Sequence, residues 1–338
     1  MATKRAALPS GLIVRTGKFV WQTMWRTMMS QMAPRSESGA YVRPESAFRD
    51  RQISPEAQRY YLIVGMSCPW AHRTLVTLVL KGLTASVPVI TVYPSTDEGR
   101  WLFDLDQPLL KAISTAADLS LSDCRSLPDF YRRCHAGYAG RATVPVLWDS
   151  KTQTIVNNES AEIIELLNSE FGALASGPNL YPEALHKTID ALNEKIYATV
   201  NNGVYRCGFA QTQVAYDQAV GELFATLDEL DTALASQRYL CGDALTLADV
   251  RLFTTLVRFD VAYHGLFKCD RRRIADYSHL SGYLRDIYQL PGIAATCDID
   301  AVKRDYYGNL FPLNPGGIVP VGPGWEGLHE PHHRELLA

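Results

Sequence analysis

The run Tyr60-Tyr-Leu-Ile-Val64 is apolar at every position, is built of β-branched and aromatic residues, and is closed by Gly65. It predicts a short buried strand. Pro69 to Leu83 predicts a helix, with proline in the first turn, where its missing N–H costs little. Val87 to Tyr93 predicts a second strand, Thr143 to Trp148 a third, and Thr152 to Val156 a fourth that follows across a hairpin turn at Asp149-Ser-Lys151. Ser160 to Phe171 predicts another helix, apolar at Ile163, Ile164 and Leu167. Residues 94–142 break this rhythm. They are rich in Ser, Asp, Arg and Gly and hold no clear strand, so they predict an insertion with one or two short helices. From about 182 to 298 the pattern is almost wholly helical. Val220, Leu223, Phe224, Leu227 and Leu230 recur at helical spacing, and Thr246-Leu-Ala-Asp249 forms a capping-box variant at the start of a further helix. Residues 306–338 contain five prolines and six glycines, which predicts an irregular tail.

This order implies an α/β thioredoxin-like N-terminal domain plus an all-α C-terminal domain, the first a four-stranded mixed sheet with helices on its faces. The expected division is an N-terminal extension over 1–57, the thioredoxin-like domain over 58–175 with its insertion at 94–142, a linker near Ser176-Gly-Pro-Asn179, the helical domain over 182–305, and the tail over 306–338. The first 34 residues are basic and partly amphipathic, with Val20, Met24 and Met28 at helical spacing. They lack the compact apolar core and small-residue cleavage site of a secretory signal. The expectation is an extension packed on the body, with a transit peptide as the alternative.

Composition narrows the function classes. The 338 residues are 47% hydrophobic and 20% charged, with a net charge of −3. That balance argues against a general nucleic-acid or membrane-surface binder, and no run approaches the length of a membrane span. Seven cysteines at irregular spacing, with no CxxC pair, fit a reducing, cytoplasmic setting better than a disulfide framework. Cys134-His135 has no second pair at metal-ligand spacing, so no metal is expected.

One cysteine stands apart. Cys68 lies where the first strand ends and the first helix begins, in Ser67-Cys-Pro-Trp-Ala-His-Arg73. Unpaired amide N–H groups and the helix dipole at such a position favour thiolate over thiol, and thiolate is the nucleophile. Arg73 adds positive charge if it points that way; the reading for His72 is structural. The residue three positions on is Ala71, so an outside thiol, with glutathione as the candidate, must resolve any mixed disulfide. The competing reading is a cysteine that only packs. Two other places support a thiol site. If the Val144–Pro145 bond is cis, Val144 can present its N–H and C=O to a bound peptide; the alternative is an ordinary trans proline at a strand edge. Asn157-Asn-Glu-Ser160 opens a helix, where amide N–H groups, the Ser160 hydroxyl and the Glu159 carboxylate suit a γ-glutamyl group; the alternative is simple capping by Asn158 or Ser160.

Taken together, Cys68-Pro-Trp-Ala-His-Arg73, Val144-Pro145, Asn158-Glu-Ser160 and the helical second half resemble a glutathione transferase. The finer resemblance is to the Xi class, the glutathionyl-hydroquinone reductases. It extends through Ser38-Gly-Ala-Tyr-Val-Arg-Pro-Glu45, Gly99-Arg-Trp101, Asn201-Asn-Gly-Val-Tyr-Arg206, Phe267-Lys-Cys-Asp270, Arg272-Arg-Ile-Ala-Asp-Tyr277 and Asn314-Pro-Gly-Gly-Ile-Val-Pro320, covering about 38–323. The resemblance implies reduction of glutathionyl-hydroquinones to hydroquinone and oxidised glutathione, with Cys68 as nucleophile. It implies that Trp101, Val144, Pro145, Glu159 and Ser160 hold glutathione, with Arg100 or Arg141 helping. Tyr205 and Tyr306 or Tyr307 would line the quinone pocket and assist proton transfer. A homodimer is also implied. One departure stands out: the family often has His before the paired tyrosines, and this chain has Asp305. Two other readings share the fold: an omega-like thiol transferase or dehydroascorbate reductase, and a non-catalytic ligand-binding protein.

Overall fold

A computed structural model describes residues 10–95, 99–108 and 124–337. Its sheet has the strand order β3-β2-β1-β4-β5. Strand β1 (Tyr60–Gly65) runs parallel to β2 (Val89–Pro94) on one side and antiparallel to β4 (Val146–Asp149) on the other. Strand β5 (Thr154–Asn157) closes that second edge, and β3 (Trp101–Phe103) pairs antiparallel with the outer side of β2. The central strand is buried along almost its whole length, which is why it reads as an unbroken apolar run.

Strand β3 corrects the expectation that the insertion holds no strand. It has three residues and is secured by its register, Pro94 opposite Trp101 and Val92 opposite Phe103, rather than by any alternation that a sequence could reveal. The described residues of the same segment also include a short helix, α3 (Leu127–Cys134), which follows α1 (Ser10–Met32) and α2 (Pro69–Leu80). The Ser126 N–H and hydroxyl both donate to the Asp129 carboxylate, which fixes the start of α3.

Helices α2 and α4 (Ser160–Ser169) lie between two cores. Leu75, Leu78, Ile163 and Leu167 face the sheet; Val76 and Ile164 join the helical core with Leu223, Phe224 and Phe253. A helix covered on both sides must be apolar nearly all round, and residues 69–78 of α2 are all buried. The helical part comprises α5 (His186–Ile196), α6 (Gly203–Gly208), α7 (Gln213–Ala233), α8 (Leu247–Arg258), α9 (Leu280–Tyr288) and α10 (Ile299–Asn309). Wide π-type turns at Tyr197–Asn201 and Phe259–Tyr263 continue α5 and α8. Helix α10 runs through Tyr306 and Tyr307, so both tyrosines sit on a regular helix ahead of the Pro- and Gly-rich residues.

The extension packs on the body as expected from about Trp25 onward, and departs from that expectation in the earlier turns of α1. Helix α1 touches the body only near its C-terminal end, where Met29 is fully buried in the helical core and the Trp25 Nε1–H donates to the Pro312 carbonyl. Its earlier turns stand in solvent, with Ile13, Val20 and Met24 exposed. From Ala33 the chain runs back over the molecule, reaching the sheet where Arg49 bridges to Asn157.

The capping box of α8 is buried. The Asp249 carboxylate accepts from the Thr246 N–H and hydroxyl, the Leu240 N–H and the Tyr283 hydroxyl. Replacing it leaves several buried donors without a partner, each costing about 1–3 kcal/mol. Asp249→Ala is expected to lower unfolding free energy by about 3 kcal/mol or more, read as a shift of the urea midpoint at unchanged slope.

Candidate active site

Cys68 is the N-cap residue of α2, with extended backbone and Pro69 as the first helical residue. Its N–H donates to the Gly65 carbonyl and its carbonyl accepts from the His72 N–H, so the backbone turns sharply out of β1 into the helix. The thiol is partly exposed and lies 3.9 Å from the Val144 carbonyl. The Val144–Pro145 bond is cis, the arrangement considered from the sequence.

Cys68 lines one of two cavities, and its thiol contacts Val144, which lines the other. The more polar one, about 270 Å³, is lined by Arg43, Trp70, Arg141, Val144, Pro145 and Ser160, among others. The more apolar one, about 370 Å³, is lined by Cys68, Arg100, Trp101, Tyr205, Asp305 and Tyr306, among others. Val144 borders the first cavity while its carbonyl meets the thiol of the second.

Beside the polar cavity, whose wall includes its neighbours Asn158 and Ser160, Glu159 caps its own helix: Oε1 accepts from the Ala161 N–H at 3.1 Å and Oε2 accepts from the Ser46 hydroxyl at 2.8 Å. Capping therefore falls to Glu159, not to Asn158 or Ser160. Asn158 instead ties the extension down, accepting from the Phe48 N–H and donating to the Tyr131 hydroxyl. The Ser160 Oγ is buried at the cavity wall and has no hydrogen-bond partner among the described residues. A buried hydroxyl left in that state suits an incoming polar ligand. Arg43 comes from the extension and stacks on Trp70 at 3.8 Å, with Arg73 on the ring at 4.5 Å. Arg73 donates to Asn201 Oδ1 at 2.6 Å, so its charge is directed into the contact with the helical domain rather than to the thiol. Burial lowers its pKa, and the cations of Arg251 and Arg43 add to that effect.

In the apolar cavity the hydroxyls of Tyr205 and Tyr306 are 2.6 Å apart, and those of Tyr263 and Tyr306 are 3.0 Å apart. Burial raises all three, Tyr263 to about 12 and the other two well above the usual tyrosine range. All three are protonated at neutral pH. Two hydrogen bonds among three O–H groups leave one proton of the cluster unused within it, and two of the three tyrosines line the cavity. Trp101 forms the facing wall, and its ring is so close to β1 that a Cβ on Gly65 would lie 2.3 Å from it. Asp305 also lines this cavity. Burial raises its carboxyl above the usual range, against a hydrogen bond from Ser67 that lowers it. Tyr307 is directed elsewhere: its hydroxyl approaches Gly265, and it is not part of the cavity wall.

The family described as glutathione S-transferase, N-terminal domain, matches residues 67–170, and glutathione S-transferase, C-terminal domain, matches 213–286. The glutathionyl-hydroquinone reductase YqjG of Escherichia coli (strain K12) is 45% identical, over 94% of this chain and 97% of the relative. Its solved glutathione-bound structure superposes with a TM-score of 0.76 at 48% identity, covering 83% of this chain and 90% of that one. The Xi class glutathione transferase of Natrialba magadii gives a TM-score of 0.78 at 42% identity, covering 86% and 89% of the two chains. This chain belongs to the Xi class of the glutathione transferase superfamily.

Three residues of this Xi-class site escape a reading of the sequence. Tyr263 sits in the wide turn after α8, Arg43 in an irregular segment, and Arg258 at the end of α8. Only Arg43 fell within a stretch, Ser38 to Glu45, that already carried a signal. Arg258 is buried. It donates from Nη2 to the Met66 carbonyl, from Nε to the Ser67 carbonyl, and from Nη1 to the Thr254 carbonyl and to His72 Nδ1. Since Arg258 can only donate, His72 Nδ1 accepts and its Nε2–H donates to Thr296 Oγ1 at 2.8 Å.

His72 is thus a neutral structural residue, as expected from the sequence, and burial together with the Arg258 charge holds its pKa well below the ordinary value. In the unfolded chain it takes a proton near pH 6.5. The unfolded state then binds more protons below that pH, so folding stability falls as the solution is acidified, by up to about 1.4 kcal/mol per pH unit. His72→Gln is expected to flatten this part of the curve of unfolding free energy against pH, measured by urea titration between pH 7 and pH 5.

Proposed function

We propose that this chain is a glutathione-dependent reductase that removes glutathione from glutathionyl-hydroquinones, releasing hydroquinone and oxidised glutathione. The observation that carries the reading is the placement of Cys68 in the cavity of the linked, protonated tyrosines, with its thiol against the carbonyl of Val144, which lines the polar pocket. The similarity to a relative named as such a reductase supports it.

In this reading the glutathionyl part lies in the polar cavity. Its backbone runs along Val144 and Pro145, its γ-glutamyl end reaches toward Ser160 and the neighbouring Glu159, and Arg43 and Arg141 supply positive charge for its carboxylates, while Arg100 lines the other cavity. The quinol ring lies in the apolar cavity between Trp101 and the tyrosines. The Cys68 thiolate attacks the glutathionyl sulfur. The bond between that sulfur and the ring carbon breaks, its electron pair stays with the carbon, and a proton delivered through Tyr306 or Tyr205 completes the hydroquinone. The enzyme is left as a mixed disulfide. A second glutathione thiolate attacks it, oxidised glutathione departs, and the Cys68 thiolate is restored. The donor tyrosine recovers its proton from solvent through the cluster.

Cys68→Ser is expected to abolish turnover of a glutathionylated hydroquinone, and retained turnover would refute the mechanism. Tyr306→Phe is expected to reduce kcat by about 10²-fold or more, the usual contribution of a general acid. It should leave reduction of a plain glutathione mixed disulfide, which needs no carbon protonation, close to the wild-type rate. Comparing both substrates on both variants by product chromatography tests the assignment; equal losses on the two substrates would reassign Tyr306 to packing.

A further inference from the structure

The exposed end of α1 is a surface that the reductase chemistry does not use. Ile13, Val20, Trp21 and Met24 fall on one side of the helix at 3.6-residue spacing and all are exposed, Val20 at 55% and Ile13 at 56%. Arg15, Gln22 and Arg26 fall on the other side, and Lys18 lies at the boundary. Val14 lies beside Trp21, while Leu12 and Phe19 fall toward Arg15 and Arg26, with Phe19 70% exposed. Thr23 and Thr27 donate their hydroxyls to carbonyls one turn back, so their polar groups are satisfied within the helix. The free part is about 20 Å long at 1.5 Å per residue, and it is held at its base by Met29 and Trp25.

Charge selects the occupant. The sequence has Lys4, Arg5, Arg15, Lys18, Arg26 and Arg35 before its first acid, Glu37. The net charge of −3 therefore conceals a segregation, with a basic N-terminal segment on a more acidic body. We propose that α1 lies on an anionic lipid bilayer, its apolar side among the acyl-chain boundary and its Arg and Lys side chains among the phosphates. This reverses the expectation of no membrane partner drawn from the whole-chain charge. No helix among the described residues is long and apolar enough to cross a membrane, so the contact is with the surface. A second copy is the poorer occupant. Two α1 helices packed through their apolar sides would bring the boundary Lys18 of each to the contact with no acid on either helix to pair it, and would leave Arg15 and Arg26 without a counter-charge.

The test uses the full chain and its Val20→Glu/Met24→Glu double variant, both positions being exposed and remote from the catalytic cavities. Each is sedimented with vesicles of phosphatidylcholine alone and of equal parts phosphatidylcholine and phosphatidylglycerol, while light scattering gives the mass in solution. The expected result is binding to the phosphatidylglycerol vesicles that weakens with added salt, falls by about tenfold or more in the variant, and is weak on phosphatidylcholine alone. Reductase turnover should be unchanged in the variant, which shows that it is folded. Absence of vesicle binding, or binding the variant retains in full, overturns the proposal. So does a wild-type dimer that the variant converts to monomer, since a second copy would then cover the face.

Discussion

The Arg258 guanidinium is the contact on which the catalytic geometry rests. It starts in the helical domain, crosses to the sheet domain, and ends on the two carbonyls that precede Cys68. None of its hydrogen-bond partners is a carboxylate; three carbonyl dipoles and one imidazole nitrogen hold it. A buried cation is tolerated only where such groups converge on it. The consequence is a reciprocal dependence. The charge needs the turn at Met66–Ser67 to stay in place, and the turn needs the charge to satisfy its carbonyls. The nucleophile is therefore positioned by the packing of the two domains, and His72 completes the link by joining the same guanidinium to Thr296 on the far side of α2.

Seen from this contact, the rest of the site has a division of labour. The sheet domain provides the sulfur, the Val144 carbonyl and the Ser160 hydroxyl, all on rigid elements. The helical domain provides the tyrosine cluster. The extension, through Arg43 and the following residues to Ala47, walls the polar cavity and stacks on Trp70. Trp70 lies between cations of the extension and of α2, so segments far apart in sequence meet on one indole.

Much of this was legible in the sequence because it is local. The strand–Cys68–Pro69–helix junction, the cis-compatible Val144–Pro145 pair and the Asn158-Glu159-Ser160 helix start each declare themselves within a few residues. Tyr205 and Tyr306 came from the resemblance to a family, and the structure brings them together. The features that stayed hidden depend on tertiary contact. Tyr263 lies in an apolar stretch where one more aromatic residue looks like core. Arg258 reads as an ordinary basic residue at a helix end. Strand β3 is too short for periodicity, and the orientation of α1 rests on tertiary contacts such as those of Met29 and Trp25. Tyr306 and Tyr307 are chemically identical neighbours, and only the rotation of α10 decides which of them lines the cavity that holds Cys68.

The wide turns at Tyr197–Asn201 and Phe259–Tyr263 carry a further implication. Each adds backbone just where its helix delivers a tyrosine to the cluster, and every residue gained or lost in a helix rotates the downstream side chains by about 100°. A single codon inserted or deleted between Tyr197 and Tyr205 would turn that hydroxyl away from its partners without altering any functional side chain. In these two stretches, chain length is a catalytic parameter in its own right, one that a position-by-position substitution scan would leave unseen.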